Sequence, residues 1–83
     1  MGARTFMIPR IYADENDKTT GDRYMLHIAG SLRDIERYKG EISPGLRVVF
    51  NVQDEFEVEG ILEYDSEQKM WVGRPDYSTR RDL

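Results

Sequence analysis

Apolar and polar residues alternate through most of the second half of the chain, which is the pattern of strands with one buried face. Residues 46–53 and 56–64 alternate throughout, and residues 69–73 repeat the pattern over a shorter length. Polar residues at 54–55 and 65–68 separate these runs. The pattern predicts a three-stranded antiparallel meander with one solvent-facing side. Its inner face would carry the apolar residues Leu46, Val48, Phe50, Val52, Phe56, Val58, Leu62, Tyr64, Met70 and Val72.

The first half of the chain predicts two more strands and a polar loop between them. Residues 5–13 and 23–29 alternate, whereas residues 14–22 contain no apolar side chain. Pro9 has no N–H for a sheet hydrogen bond, so the first strand should lie at a sheet edge or bend there. We expect residues 14–22 to form a flexible loop.

One short helix is predicted over residues 32–39. Ser31 suits the N-cap position, and Gly40 suits the C-terminal stop. A helix of this length does not persist alone in water, so we expect it to dock on the sheet through Leu32 and Ile35.

Glycine marks two positions where the backbone must turn or closely approach a neighbour. Ser43, Pro44 and Gly45 predict a turn, because proline presets φ at its second position and glycine accepts a positive φ at its third. Gly60 stands within the longest predicted strand, where glycine marks a bulge, a bend or a close backbone approach.

Five strands and one helix in 83 residues predict a mainly β fold. We expect a small five-stranded, strongly bent antiparallel sheet or a partly open SH3-like barrel. The resemblance to SH3-like barrels covers residues 5–75 and rests on strand number and size, since no family motif accompanies it. The chain, 1–83, would form one small domain with a polar C-terminal tail over 76–83.

Composition excludes several kinds of chemistry. The chain has no cysteine and a single histidine, His27, which we expect on the surface of a strand. Disulfides, thiolate catalysis and cysteine-ligated zinc are therefore excluded, and a histidine-based metal site is disfavoured. No glycine-rich phosphate loop or catalytic dyad is present, so we expect a non-enzymatic protein without a cofactor or small-molecule substrate. The absence of cysteine favours the reducing cytoplasm, and no apolar run is long enough to span a membrane.

Acidic residues are concentrated in one part of the chain. The net charge is −4, yet residues 51–67 hold seven acids and no Lys or Arg, so the remaining residues sum to +3. This distribution predicts a dipolar molecule. Glu57, Glu59 and Glu63 share one face of their predicted strand. Three hypotheses remain open for this acidic row: a solvated face that blocks edge pairing, a site for a basic partner, or a divalent-cation site.

The outer face of the predicted meander also carries Val49, Ile61 and Trp71, one from each strand. If these side chains form an exposed cluster, they provide an aromatic anchor beside the carboxylates. If the helix or the first strand covers them, Trp71 belongs to the core. The first alternative predicts a module that contacts a basic protein, or a second copy of itself. Its predicted partner-binding residues are Val49, Glu57, Glu59, Ile61, Glu63 and Trp71.

Basic and aromatic residues near the predicted helix support an alternative function. Small barrels bind single-stranded nucleic acid by stacking bases on aromatic rings among Lys and Arg. The candidate residues are Tyr12, Tyr24, Tyr38, Arg10, Arg23, Arg33, Arg37 and Lys39. Arg80 and Arg81 in the predicted tail would either bridge back to the acidic strand or contact a partner.

Overall fold

The computed structural model describes residues 8–19 and 21–83. These residues form one five-stranded sheet, strongly curled into a half-barrel, with one short helix. The elements are β1 (Arg10–Ala13), β2 (Tyr24–Met25), α1 (Ala29–Arg37), β3 (Arg47–Val52), β4 (Phe56–Asp65) and β5 (Met70–Asp82). In space the strands follow the order β1-β3-β4-β5-β2. The mainly β, five-stranded, strongly bent fold predicted from the sequence is thus confirmed.

The predicted meander forms from β3, β4 and β5, with antiparallel pairing throughout. Gln53 and Asp54 both have positive φ between β3 and β4, and the N–H of Glu55 donates to the carbonyl oxygen of Val52 at 2.9 Å. Positive φ at both central residues matches the right-handed twist of the flanking strands, and since Val52 pairs with Phe56, the connection has three residues, 53–55. Gly45 has a φ of 91°, which confirms the predicted turn before β3.

Strand β1 corrects the prediction of an entirely antiparallel sheet. It lies at the edge, as the position of Pro9 suggested, but it pairs parallel to β3 from Arg10 opposite Val49 to Ala13 opposite Val52. A parallel pair needs a long crossover, and here β2 and α1 supply it. The predicted strand residues 5–7 lie outside the described residues.

Helix α1 starts earlier than predicted. Its N-cap is Ile28, which makes no side-chain capping bond, so the predicted capping role of Ser31 is wrong. Ser31 is instead buried in the first turn, where its hydroxyl donates to the carbonyl oxygen of Tyr12. The Asp34 carboxylate accepts a hydrogen bond from the Tyr12 N–H at 2.9 Å. Both outward backbone groups of β1 at this position are thereby satisfied by the helix.

The apolar contact of the helix also differs from the prediction. Ile35 packs against the core as expected, but Leu32 is 53% exposed. Helix α1 therefore contacts the sheet through the apolar Ile35 and through the polar Ser31 and Asp34, whose partners are backbone groups.

Strand β5 includes the segment predicted as a polar tail. It runs to Asp82, and Arg81 and Asp82 lie opposite Glu57 and Phe56 of β4. A bulge between Glu57 and Glu59 inserts extra β5 residues, and the Thr79 hydroxyl accepts the Glu59 N–H at 2.8 Å. Residues 76–83 are thus polar because the end of β5 is exposed and its side chains pair with β4. Polarity alone does not distinguish such a strand from a tail.

Phe50 occupies the centre of the core. Its ring packs edge-to-face on Tyr24 with centroids 5.6 Å apart. A Cβ atom at Gly60 or Gly73 would collide with this ring. The close approach predicted at Gly60 is confirmed, and Gly73 is a second such position on β5. The buried core residues are Ile11, Ala13, Tyr24, Leu26, Val48, Phe50, Val52, Phe56, Val58 and Leu62.

Candidate functional site: sheet face, aromatic corner and helix groove

The predicted acidic row lies on one face of β4, but arginines from neighbouring strands cover it. The buried Glu57 carboxylate lies between Arg10 of β1, at 2.6 Å, and Arg81 of β5, at 2.5 Å. The Arg81 guanidinium, together with Arg10, holds the pKa of Glu57 below its ordinary value despite partial desolvation. One carboxylate therefore connects three strands.

The other two carboxylates of the row are paired in the same way. Glu59 forms an ion pair with Arg47. Glu63 lies 3.0 Å from Arg74 and 3.1 Å from Arg23. Arg74, together with Arg23, lowers the pKa of Glu63 although desolvation opposes the shift. A basic partner would have to displace these arginines, so the face is much less acidic than the sequence suggested.

The structure separates the three apolar residues of the predicted patch. Val49 and Ile61 lie on the face of the acidic row, since they pair with Glu59 and Arg47. Trp71 pairs with Tyr64, which is on the opposite face because residues alternate along β4. The predicted Val49–Ile61–Trp71 cluster is therefore wrong.

The β4–β5 turn explains why Trp71 changes face. Asp65 lies opposite Met70, and the Asp65 carboxylate accepts the N–H groups of Glu67 and Gln68 at 2.9 and 3.0 Å. This turn fixes the register in which Tyr64 of β4 lies opposite Trp71 of β5. A change of one residue in register would reverse the face of every side chain, and alternation alone does not determine that choice.

Tyr64 and Trp71 form an aromatic corner beside this turn. Their ring centroids are 5.3 Å apart at an interplanar angle of 79°. Trp71 packs partly buried against the core, and its carbonyl oxygen accepts the Leu26 N–H at 3.1 Å. Tyr64 remains 47% exposed. The nearby Glu67 side chain is exposed and forms no ion pair with any described residue.

A polar cluster that the sequence did not indicate joins the 14–22 segment to β5. The buried Tyr24 hydroxyl lies 2.8 Å from Glu15 and 2.9 Å from the Tyr77 hydroxyl. Lys18 donates to Glu15 at 2.8 Å and to Tyr77 at 3.2 Å. Burial, followed by the hydrogen bonds to Tyr77 and Glu15, raises the pKa of Tyr24 well above its ordinary value. The cluster is a structural contact, since every polar group in it has a partner within the chain.

The predicted basic–aromatic surface assembles only in part. Tyr24 lies in the core, and Arg10 and Arg23 are paired with carboxylates. Tyr12, Arg33 and Arg37 remain, and they line a shallow groove between β1 and α1. The other residues lining this groove are Gly30, Asp34 and Asp54.

Arg33 and Arg37 differ from the other described arginines, which each have a carboxylate within 4.0 Å. Neither of these two forms an ion pair with any residue among 8–19 and 21–83. The helix groove thus offers two guanidinium groups beside an aromatic ring, although Asp34 and Asp54 reduce its positive potential.

The remaining candidate chemistry is limited. His27 is exposed and lies 2.5 Å from the Asp17 carboxylate. No set of three potential metal ligands comes together in the part of the chain that the structure describes. The one helix among these residues is too short and too polar to cross a membrane. No family model, curated protein or solved structure matches the chain.

Proposed function

We propose that this protein is a non-enzymatic binding module that contacts a basic segment of another protein through the aromatic corner. The half-exposed Tyr64 ring packed on Trp71 is the observation that carries the proposal. Guanidinium and ammonium groups bind the faces of such rings, and tyrosine and tryptophan are enriched among residues that dominate binding energy.

The corner is held in place before a partner arrives. Core packing holds the Trp71 side chain, and the hydrogen bond from the Leu26 N–H holds its backbone, so little side-chain entropy remains to be lost on binding. Glu67, in the turn that follows β4, has a carboxylate that forms no ion pair with a described residue. These features support a basic ligand better than Glu57, Glu59 and Glu63 do, because arginines already occupy those three carboxylates.

Trp71 is the only tryptophan, so its fluorescence reports directly on the corner. We expect titration with an oligo-arginine peptide to change Trp71 emission in a saturable way. Tyr64→Ala should weaken that binding by about threefold to tenfold, the loss of a single cation–π contact. Leu32→Ala, at another exposed apolar side chain, is the control. A titration that leaves the emission unchanged, or equal affinity in the Tyr64→Ala variant, contradicts the proposal.

The helix groove favours single-stranded nucleic acid as a second candidate ligand. Arg33 and Arg37 would contact phosphates, while Tyr12 would stack on a base. The test is fluorescence anisotropy with a labelled oligonucleotide, comparing the double reversal Arg33→Glu and Arg37→Glu with Lys69→Glu. Binding that survives the double reversal, or that does not weaken with salt, rejects this candidate.

A further inference from the structure

Strand β5 is paired on both sides over only a small part of its length. It spans 13 residues, and β2 covers it only at Val72 and Gly73. Beyond Gly73, β5 pairs with β4 at residues 74–76 and again at 81–82, with residues 77–80 in the bulge, and it pairs with no other strand among the described residues. Unpaired strands of this kind are templates for pairing with another chain.

The opposite edge of the sheet does not offer the same opportunity. On β1, Ser31 and Asp34 of α1 already bond the carbonyl oxygen and the N–H of Tyr12. Among the described residues, helix α1 therefore occupies the β1 edge at Tyr12, whereas β5 is free on its outer side at residues 80–82, which we call the open edge.

The register shows which backbone groups face outward at the open edge. The Leu83 N–H donates to the carbonyl oxygen of Glu55 at 3.0 Å, and Arg81 lies opposite Glu57. In an antiparallel pair, hydrogen-bonded positions alternate with positions whose backbone groups point away. The backbone N–H and carbonyl groups of Arg81 therefore point toward β4, whereas those of Arg80 and Asp82 point toward the open edge.

We infer that a second copy of this chain adds its own β5 antiparallel to this edge, about a two-fold axis at Arg81. This register places Arg80 of one subunit opposite Asp82 of the partner subunit in a hydrogen-bonded pair. The symmetric copy of that pair lies on the other side of the axis, as an isologous interface requires. Two five-stranded sheets would then join into one continuous sheet.

Charge distinguishes this register from the two neighbouring symmetric ones. A two-fold axis at Arg80 would place two arginines opposite each other, and an axis at Asp82 would place two aspartates opposite each other. Like charges directly opposite each other are destabilising. Of these three axes, only the one at Arg81 places unlike charges opposite each other at both outward-facing positions. Arg81 then meets its own copy, but the Glu57 carboxylate at 2.5 Å offsets the repulsion.

The side chains at this edge are already ordered. The Arg80 guanidinium carbon lies 3.8 Å from the centroid of the Phe56 ring, and its Nε lies 3.0 Å from the Asp82 carboxylate. Pairing between subunits would therefore redirect an existing contact instead of ordering two free side chains.

Single-cysteine variants test the register, because the chain has no cysteine. Across the axis, the two copies of position 81 form a non-hydrogen-bonded pair about 4.5 Å apart at Cα, within disulfide range. The two copies of position 80 lie on opposite sides of the axis and beyond about 7 Å. Under mild oxidation, Arg81→Cys should give mostly a covalent dimer and Arg80→Cys little of it. Equal cross-linking of the two variants would overturn the inference.

Charge reversal tests the same interface without a disulfide. Light scattering should detect dimer at concentrations up to about 1 mM. Arg80→Asp and Asp82→Arg should each weaken dimerisation by about tenfold, because each opposes like charges. The double variant Arg80→Asp with Asp82→Arg should recover the affinity of the original chain. A protein that remains monomeric throughout this range, or a double variant weaker than both single variants, contradicts the proposed pairing.

Discussion

At the residue scale, the packing of the core depends on two positions that have no side chain. Gly60 and Gly73 lie under the ring of Phe50, where a Cβ atom would overlap the ring. Only Gly60 was predicted from the sequence, because it interrupts an otherwise regular strand. Gly73 is followed by Arg74 and Pro75, and a glycine in a turn gives the same local pattern. The sequence therefore does not show that Gly73 lies within a strand.

Replacing Gly73 with alanine should therefore destabilise the protein. We expect the free energy of unfolding to fall by about 1–3 kcal/mol, as for other overpacked cores. Chemical denaturation would measure the loss. Gly40→Ala is the matched control, because no atom lies within 4 Å of the added Cβ. Phe50→Leu introduced with Gly73→Ala should cost less than the sum of the two single changes, and strict additivity would contradict the predicted collision.

The buried hydroxyl of Tyr24 should make stability sensitive to alkaline pH. In the folded state the pKa of Tyr24 is raised, chiefly by burial, whereas an unfolded tyrosine loses its proton near about pH 10. The folded state thus retains a proton that the unfolded chain releases. Stability contributed by Tyr24 is complete below about pH 10 and decreases as the pH rises above that value.

Denaturation curves between about pH 9 and 11.5 would measure this decrease. Tyr24→Phe should reduce the slope by up to about 1.4 kcal/mol per pH unit, the contribution of one proton. Tyr64→Phe is the control variant, because the Tyr64 hydroxyl bonds to no described residue and the ring is 47% exposed. Identical slopes in the Tyr24→Phe variant and the original chain would contradict the assignment.

At the scale of elements, Glu57 links the two ends of the chain to the central strand. Arg81 and then Arg10 lower the pKa of Glu57, so its ion pairs contribute stability above the pKa of an unfolded glutamate, about 4.3. That contribution is lost as the pH falls through the lower folded value. We expect Glu57→Gln to reduce the loss of stability between about pH 5 and 2. Glu41→Gln is the control, because Glu41 is exposed. An unchanged acid limb in Glu57→Gln would show that the ion pairs contribute little.

Alternation predicted the inward residues of β3 and β4 because a strand repeats every two positions wherever the pairing lies. It did not predict the face of Trp71, which depends on the register fixed by the turn from Asp65 to Met70. The arginine partners of Glu57 were only partly foreseeable. A bridge from Arg81 was one of two alternatives, but Arg10 reaches this carboxylate through a parallel pairing that local sequence does not encode.

At the scale of the whole molecule, folding redistributes the charge that the sequence concentrates. The acidic stretch suggested a dipole, yet guanidinium groups from β1, β3 and β5 lie against the acidic row of β4. Net charge remains −4, but much of it lies away from that row, in the loop and turns between the strands. An electrostatic partner should therefore be sought at the turns or at the helix groove, not on the sheet face.

The contacts of the C-terminal segment with β4 and Tyr24 make this segment important for the stability of a small core. A polar tail can be removed with little effect, whereas residues 77–83 supply the Tyr77 contact to Tyr24 and the Arg81 contact to Glu57. A chain ending at Asp76 would leave Glu57 with one of its two arginines and expose Phe56, which now lies under Arg80.

Small domains have only about 5–15 kcal/mol of stability, so we expect this truncation to cost at least about 3 kcal/mol. In thermal unfolding followed by circular dichroism, the melting temperature should fall by more than about 10 °C, while removal of Leu83 alone changes it little. A truncated chain that melts within a few degrees of the full chain would restore the interpretation of residues 76–83 as a tail.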